Sequence, residues 1–286
     1  MAVHPTVERL RLAVLVSGSG TNLQALIDRS RDGRLNADVV VVGSDRADAY
    51  GLARAKHAGI PSHFVDYGAI LRSGPPRAST VAPPVNLAAM DEARKVLRIG
   101  DGNAGIERLK RLIQAEQQLI SVLEPHKPDL ICLAGFMRLV SPHFIQHYNG
   151  GGTWRILNIH PAMLPAFPGQ HGYEDTFRYG CRWGGVSVHF VDEGEDTGPL
   201  IAQAAYPIWP GDTIGKVRDR GLSLEYEVYT QCINWLAAGQ IELETMSSRT
   251  TTRIKDPLYP NILKAWLDMA LCEGPSPDLS LPGPRG

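Results

Sequence analysis

Several things that would each have narrowed the reading are scarce in this sequence. Only four cysteines occur in 286 residues, Cys132, Cys181, Cys232 and Cys272. They are too far apart for a paired-cysteine metal knuckle and too few for a disulfide scaffold, so reduced thiols are expected. No apolar run approaches the roughly 20 residues that a helical membrane span needs. The opening Met1 to Pro5, followed by Glu8, lacks the apolar stretch and small-residue cleavage site of a secretory leader. Charge of one sign is missing as well. The 29 Lys and Arg stand against 30 Asp and Glu, a formal net charge of −1, which gives no global attraction to nucleic acid or to an anionic membrane. What is present is an ordinary 43% of hydrophobic residues, enough to bury a core in one large domain or two modest ones. The expectation is a cytoplasmic, globular protein with no membrane and no nucleic-acid partner.

Short, wholly apolar, β-branched runs recur and stop at glycine or serine. Leu12–Val16 ends at Ser17-Gly18-Ser19-Gly20, and Val39–Val42 ends at Gly43-Ser44. Runs of this kind read as strands buried on both faces of a parallel sheet. Leu23, Leu26 and Ile27 follow the first at helical spacing, a second helix is predicted from about Ala47 to His57, and a third strand over Ser62–Val65. Strand, turn, helix, strand is the grammar of a doubly wound α/β sheet with helices on both faces. A surface insertion is expected over about 66–105, rich in Gly and Pro, with a helical piece at Leu87–Leu97. Beyond it the pattern predicts a helix over Ile106–Leu123, a strand over Leu130–Ala134, a helix over Pro142–Tyr148 and a strand over Arg155–Asn158. Strands over Val186–Phe190 and Leu200–Ala205 follow, then a helix over Thr213–Leu236 interrupted at Gly221, and an edge strand over Ile241–Glu244. Residues 10–246 form one domain in this reading. Residues 247–286 form a C-terminal extension in which Leu263, Trp266 and Leu267 dock a short helix.

Four places carry residue types suited to chemistry. Ser17–Asn22 lies between a buried strand and a helix start, where backbone N–H groups converge on an anion. It is neither a Walker loop nor a dinucleotide fingerprint, and the same hexapeptide also reads as a plain turn capped by Thr21 or Asn22. Alternation places Asn158 and His160 on one side of a strand, opposite Ile159. A carboxamide and an imidazole there can polarise a carbonyl and move a proton, or simply fix the following loop. Asp196, in an acidic loop with Glu193 and Glu195, would support an imidazole placed beside it, although such loop carboxylates are commonly solvated. His189 reads as a structural histidine. His143 and His147 have an i, i+4 zinc spacing but lack a nearby glutamate and a third ligand, so no metal is expected.

Taken in order, Val14–Leu26, Leu133–Arg138, Leu157–Pro165 with Pro168-Gly169, and Ser187–Phe190 through Asp196–Pro199 closely resemble the phosphoribosylglycinamide formyltransferases, folate-dependent enzymes of purine biosynthesis. The resemblance spans roughly Leu12–Leu243 apart from the insertion. It implies a formyl-transferase type of α/β fold and transfer from 10-formyltetrahydrofolate, the co-substrate, to the primary amine of glycinamide ribonucleotide, with no metal or redox cofactor. By the same match, Gly20, Thr21 and Asn22 would hold the substrate phosphate and Glu225 the ribose hydroxyls. Met137, Arg138, Leu139, Val140 and Asn158 would line the folate site, with Asn158, His160 and Asp196 at the catalytic positions. The family carries an Arg at the folate mouth, for which Arg108 and Arg111 are nearby candidates. Leu222 stands where the family has a Gln, and Ala166 and Gln170 also depart from it.

Three alternatives follow from the same residues. A formyltetrahydrofolate hydrolase would be expected to carry a regulatory domain ahead of the sheet, and a methionyl-tRNA formyltransferase a basic C-terminal domain. A non-catalytic phosphosugar- or folate-binding protein would not need Asn158, His160 and Asp196 together.

Overall fold

The computed structural model describes residues 9–73, 96, 97, 99, 100, 102–246 and 249–272. Seven strands form one sheet: β1 (Leu10–Val16), β2 (Ala37–Ser44), β3 (Ser62–Phe64), β4 (Leu130–Leu133), β5 (Ile156–His160), β6 (Trp183–Phe190) and β7 (Leu200–Pro207). Their order is β3-β2-β1-β4-β5-β6-β7, parallel from β3 to β5 and antiparallel across β5-β6 and β6-β7. The apolar runs are buried on both sides because each face is covered. Leu12, Val14 and Val16 enter one core, and Ala13 and Leu15 the other. On the first face lie α1 (Thr21–Arg31), α2 (Tyr50–His57), α6 (Gly172–Tyr179), α7 (Ile214–Ala237) and α8 (Tyr259–Cys272). On the second lie α3 (Tyr67–Arg72), α4 (Gly102–Leu123) and α5 (Pro142–Asn149).

The order in which strands are added to the sheet reverses between β1 and β4, which are parallel neighbours separated by the whole β2–α4 excursion. In open α/β sheets the crevice at the carboxyl ends of strands beside such a switch is where ligands bind. Here the turns leaving β1 and β4 touch, with Ser17 N–H donating to the Gly135 carbonyl at 2.9 Å.

Several sequence expectations change. Gly221 does not interrupt its helix, and α7 runs unbroken for 24 residues because the tertiary contacts of a long buried face outweigh one poor helix former. β5 extends through His160, since pairing with β6 continues to His160↔Ser187. In place of a single edge strand, β8 (Ile241–Met246) and β9 (Arg249–Ile254) form a separate two-stranded antiparallel sheet. The ends of the expected insertion carry some core residues among exposed ones. Asp66 caps α3 by accepting from the Ala69 N–H at 2.8 Å, and Tyr67 and Ile99 are both core side chains. The helical piece expected at Leu87–Leu97 lies outside the described residues save its last two. The C-terminal helix forms as α8, where Trp266 is buried against Trp235, but Leu267 is exposed. Trp235 Nε1 also donates to Asp256 at 2.7 Å, which ties the segment after β9 to α7.

Candidate active site

The turn after β1 comes first in chain order. Gly20 has φ of +67° and starts α1, and no side chain caps that start, neither Thr21 nor Asn22. Glycine is required there twice over: the left-handed backbone disfavours a side chain, and a Cβ would come 2.7 Å from the Gly51 Cα of α2. The first N–H groups of α1 therefore lack a capping side chain, as an anion site needs. Arg54 Nε donates to the Ser19 carbonyl at 2.8 Å and holds the turn from α2.

A buried relay joins this turn to the segment after β4. Ser17 Oγ donates to Asp45 Oδ1 at 2.5 Å and accepts from the Met137 N–H at 2.8 Å. Arg138 Nε donates to Asp45 Oδ2 at 2.5 Å, and its guanidinium lies 4.9 Å from the Tyr67 ring centre. Asp45 is the hinge of this relay, and the sequence reading overlooked it because a carboxylate after a strand has no distinctive signature.

The antiparallel pairing of β5 with β6 builds the centre. Asn158 lies opposite His189, and His160 opposite Ser187. The loop between β6 and β7 returns Asp196, itself at φ +55°, to this pair. His160 Nδ1 is 3.3 Å from Asp196 Oδ2, and Asn158 Nδ2 is 3.3 Å from Asp196 Oδ1. The Gly169 N–H donates to Asp196 Oδ2 at 2.8 Å. His160 Nε2 lies 2.8 Å from the Phe167 carbonyl oxygen. A carbonyl only accepts, so Nε2 carries the proton of the neutral ring and Nδ1 presents its lone pair beside Asp196. His189 Nδ1 meets the Phe190 carbonyl at 2.7 Å, and its Nε2 lies 3.2 Å from Asn158 Nδ2 and 3.4 Å from Asp196 Oδ1. His189 is thus held by the backbone, as read from the sequence, but it also orients the carboxamide.

Charge follows from these contacts. Burial lowers the His160 pKa below that of a free imidazole, and the neighbouring Asp196 charge only partly offsets it. Burial alone would raise Asp196. Its contacts with His189, His160 and the Gly169 N–H outweigh that and hold it below the ordinary carboxylate range.

At another wall, Asn22 Nδ2 donates to Glu225 Oε2 at 2.5 Å, and the Tyr173 hydroxyl donates to Glu225 Oε1. Burial raises the Glu225 pKa against the opposing effect of these two bonds.

One cavity of about 680 Å³ is lined by Gly20, Thr21, Asn22, Met137, Arg138, Leu139, Val140, Asn158, His160, Asp196 and Glu225 among others. The size suits a small-molecule site. A second cavity of about 530 Å³ shares Met137, Arg138 and Leu139 with it and adds Arg108 and Leu112. Arg111 reaches the Ser73 carbonyl at 3.5 Å and lines neither cavity. Tyr173 and Arg218 border the site unannounced by the sequence, because only the packing of α6 on α7 brings them there.

Comparison with known proteins agrees with this geometry. The formyl transferase family model matches residues 10–233. The phosphoribosylglycinamide formyltransferase of Escherichia coli (strain K12) is 33% identical over 82% of this chain and 90% of its own length. The trifunctional purine biosynthetic protein adenosine-3 of Homo sapiens is 31% identical over 82% of this chain, which spans only 19% of that longer protein. The crystal structure of glycinamide ribonucleotide transformylase 1 from Symbiobacterium toebii superposes with a TM-score of 0.66 and 36% identity, covering 87% of this chain and 95% of that one. The chain belongs to the formyl transferase family, among the phosphoribosylglycinamide formyltransferases.

Proposed function

We propose that this protein transfers the formyl group of 10-formyltetrahydrofolate to the primary amine of glycinamide ribonucleotide, a step of purine biosynthesis. The observation that carries the reading is the meeting of Asn158, His160 and Asp196 at one wall of a cavity that also holds an uncapped helix start. In this reading Gly20, Thr21 and Asn22 bind the phosphate through α1's first N–H groups, and Glu225 faces the ribose. Met137, Arg138, Leu139 and Val140 line the co-substrate's side together with Asn158. That side opens into the second cavity, where Arg108 offers a cation for the co-substrate's carboxylates.

When bound, the co-substrate supplies an activated formyl carbon, and the chain does the rest. His160 Nδ1, its lone pair fixed by the Nε2–H···Phe167 bond, accepts the proton of the attacking amine. The charged ring then donates from Nδ1 to Asp196, which keeps the proton available for the departing folate nitrogen. Asn158 directs its N–H groups to His189 and Asp196. The longer of these, 3.3 Å to Asp196, is the one exchanged for the developing oxyanion.

Purified protein assayed with 10-formyltetrahydrofolate, with and without glycinamide ribonucleotide, tests the reading. Folate release that requires the amine is the expected result. Release into water alone would make the protein a hydrolase, and no turnover would leave a binding module.

A further inference from the structure

Glu225 is satisfied entirely from within the protein. Asn22 donates to one oxygen and the Tyr173 hydroxyl to the other, and only 4% of the residue is exposed although it borders the cavity. The tyrosine reaches it through a gap in α7. Gly221 lies one turn before Glu225, and any Cβ there would run into the Tyr173 ring. The residues of α7 that line the cavity are Arg218, Leu222 and Glu225, spaced to share one helix face. Arg218 is paired with Glu174, the neighbour of Tyr173 on α6. Leu222 offers a sugar hydroxyl no hydrogen bond. The wall meant for a polyol thus presents one occupied cation, one alkyl chain and one carboxylate that already holds a phenol.

Resting on the reading that the acceptor's ribose lies against Glu225, we propose that Tyr173 is a specificity-determining residue that competes with the ribose hydroxyls for that carboxylate, with Gly221 admitting it. A phenol and a sugar hydroxyl are the same kind of partner, an O–H donor to a carboxylate, and the phenol is the more acidic. A buried carboxylate that loses a donor incurs a desolvation cost, so a ribose hydroxyl gains only the difference between itself and the tyrosine. An acceptor lacking ribose hydroxyls loses little, because Tyr173 stays in place. Removing the phenol oxygen leaves Glu225 a donor short and makes the ribose hydroxyls worth their full value.

The test is steady-state kinetics on the full chain at saturating 10-formyltetrahydrofolate, comparing glycinamide ribonucleotide with its 2,3-dideoxyribose analogue. The unmodified protein is expected to show KM values for the two acceptors within about threefold. In Tyr173→Phe the KM for the ribonucleotide falls about tenfold, and that for the dideoxy analogue stays. A thermal melt of the variant is the control for folding. Equal KM shifts for the two acceptors, an unchanged ribonucleotide KM or a raised one overturns the competition. Absence of turnover by the unmodified protein would instead overturn the assigned reaction, and the proposal with it.

Discussion

Asp196 and Glu225 sit at different walls of one cavity, and both are largely withdrawn from water, yet their acidities move in opposite directions. Burial pushes each of them up. The difference lies in the partners. Asp196 faces two imidazoles and a backbone N–H. Glu225 faces a carboxamide and a phenol, which donate hydrogen bonds but carry no positive charge. A buried carboxylate stays ionised where its neighbours can share in the charge, and is drawn toward neutrality where they can only solvate it. In the function proposed above, the first end of the cavity moves protons and the second holds hydroxyl groups. Glu116, buried completely in α4 and accepting from both the N–H and the hydroxyl of Ser141, belongs to the second kind, and burial raises it to about 7.

The sharpest way to break this contrast is Asp196→Asn, which keeps the shape and removes the charge. Turnover is expected to fall by about a thousandfold or more with an intact cooperative melt, a magnitude typical of lost acid–base support. Near-normal kcat would place Asp196 outside the chemistry.

Next in size is the neutral-partner case. A carboxyl whose folded pKa is raised stabilises the fold below its unfolded value and loses that contribution as pH rises through the folded one. For Glu116 the window runs from 4.5 to about 7. Compared with Glu116→Gln by urea denaturation, the native protein should therefore lose about 3 kcal/mol of relative stability between pH 4.5 and pH 8. A difference that does not change with pH would show Glu116 to be ionised without strain. Asp196 has the reverse sign. Its contribution is present above 3.8 and is lost as pH falls through its lower folded value.

Packing around Glu225 offers a smaller effect. Gly221→Ala should cost about 1–3 kcal/mol by overpacking against Tyr173. In a Tyr173→Ala background the same change should cost well under half as much, and additive melts would show that the two residues do not meet.

The least of the four is a shift in a pH–rate profile. Because burial lowers His160, the acid limb of kcat/KM is expected to have its midpoint below 6.5. In the residual activity of Asp196→Asn it should move lower still, since the charge that partly offset burial is gone. A midpoint at or above 6.5 would mean that His160 is not the base.

What the sequence disclosed followed how local each feature is. The turn at Ser17–Asn22 is six contiguous residues between a strand and a helix, and its composition offered an anion site beside a plain capped turn. Asn158 and His160 share a strand face through period-two alternation, so their pairing was also legible. That Asp196 joins them depends on the antiparallel return of β6 and on a left-handed residue in the following loop, which no local pattern specifies. It was reached through family resemblance. Asp45, Tyr173 and Arg218 were missed for a related reason: each is an unremarkable residue until a helix or strand distant in the chain packs beside it. Gly221 was misread because its flexibility suggested a break, whereas its small size is what the structure uses.

The bond between Asn22 and Glu225 spans 203 positions, and it is accompanied by Arg29 to Thr230 and Asn36 to the side chain of Asn234 along the same helix contact. Protein synthesis is vectorial, so the turn at Gly20 leaves the ribosome long before the helix that completes its surroundings. Until then Leu23, Leu26 and Ile27 of α1 have no α7 to cover them. A nascent chain therefore waits with an apolar helix face bare, and it is during that interval, rather than in the finished enzyme, that chaperone protection matters most.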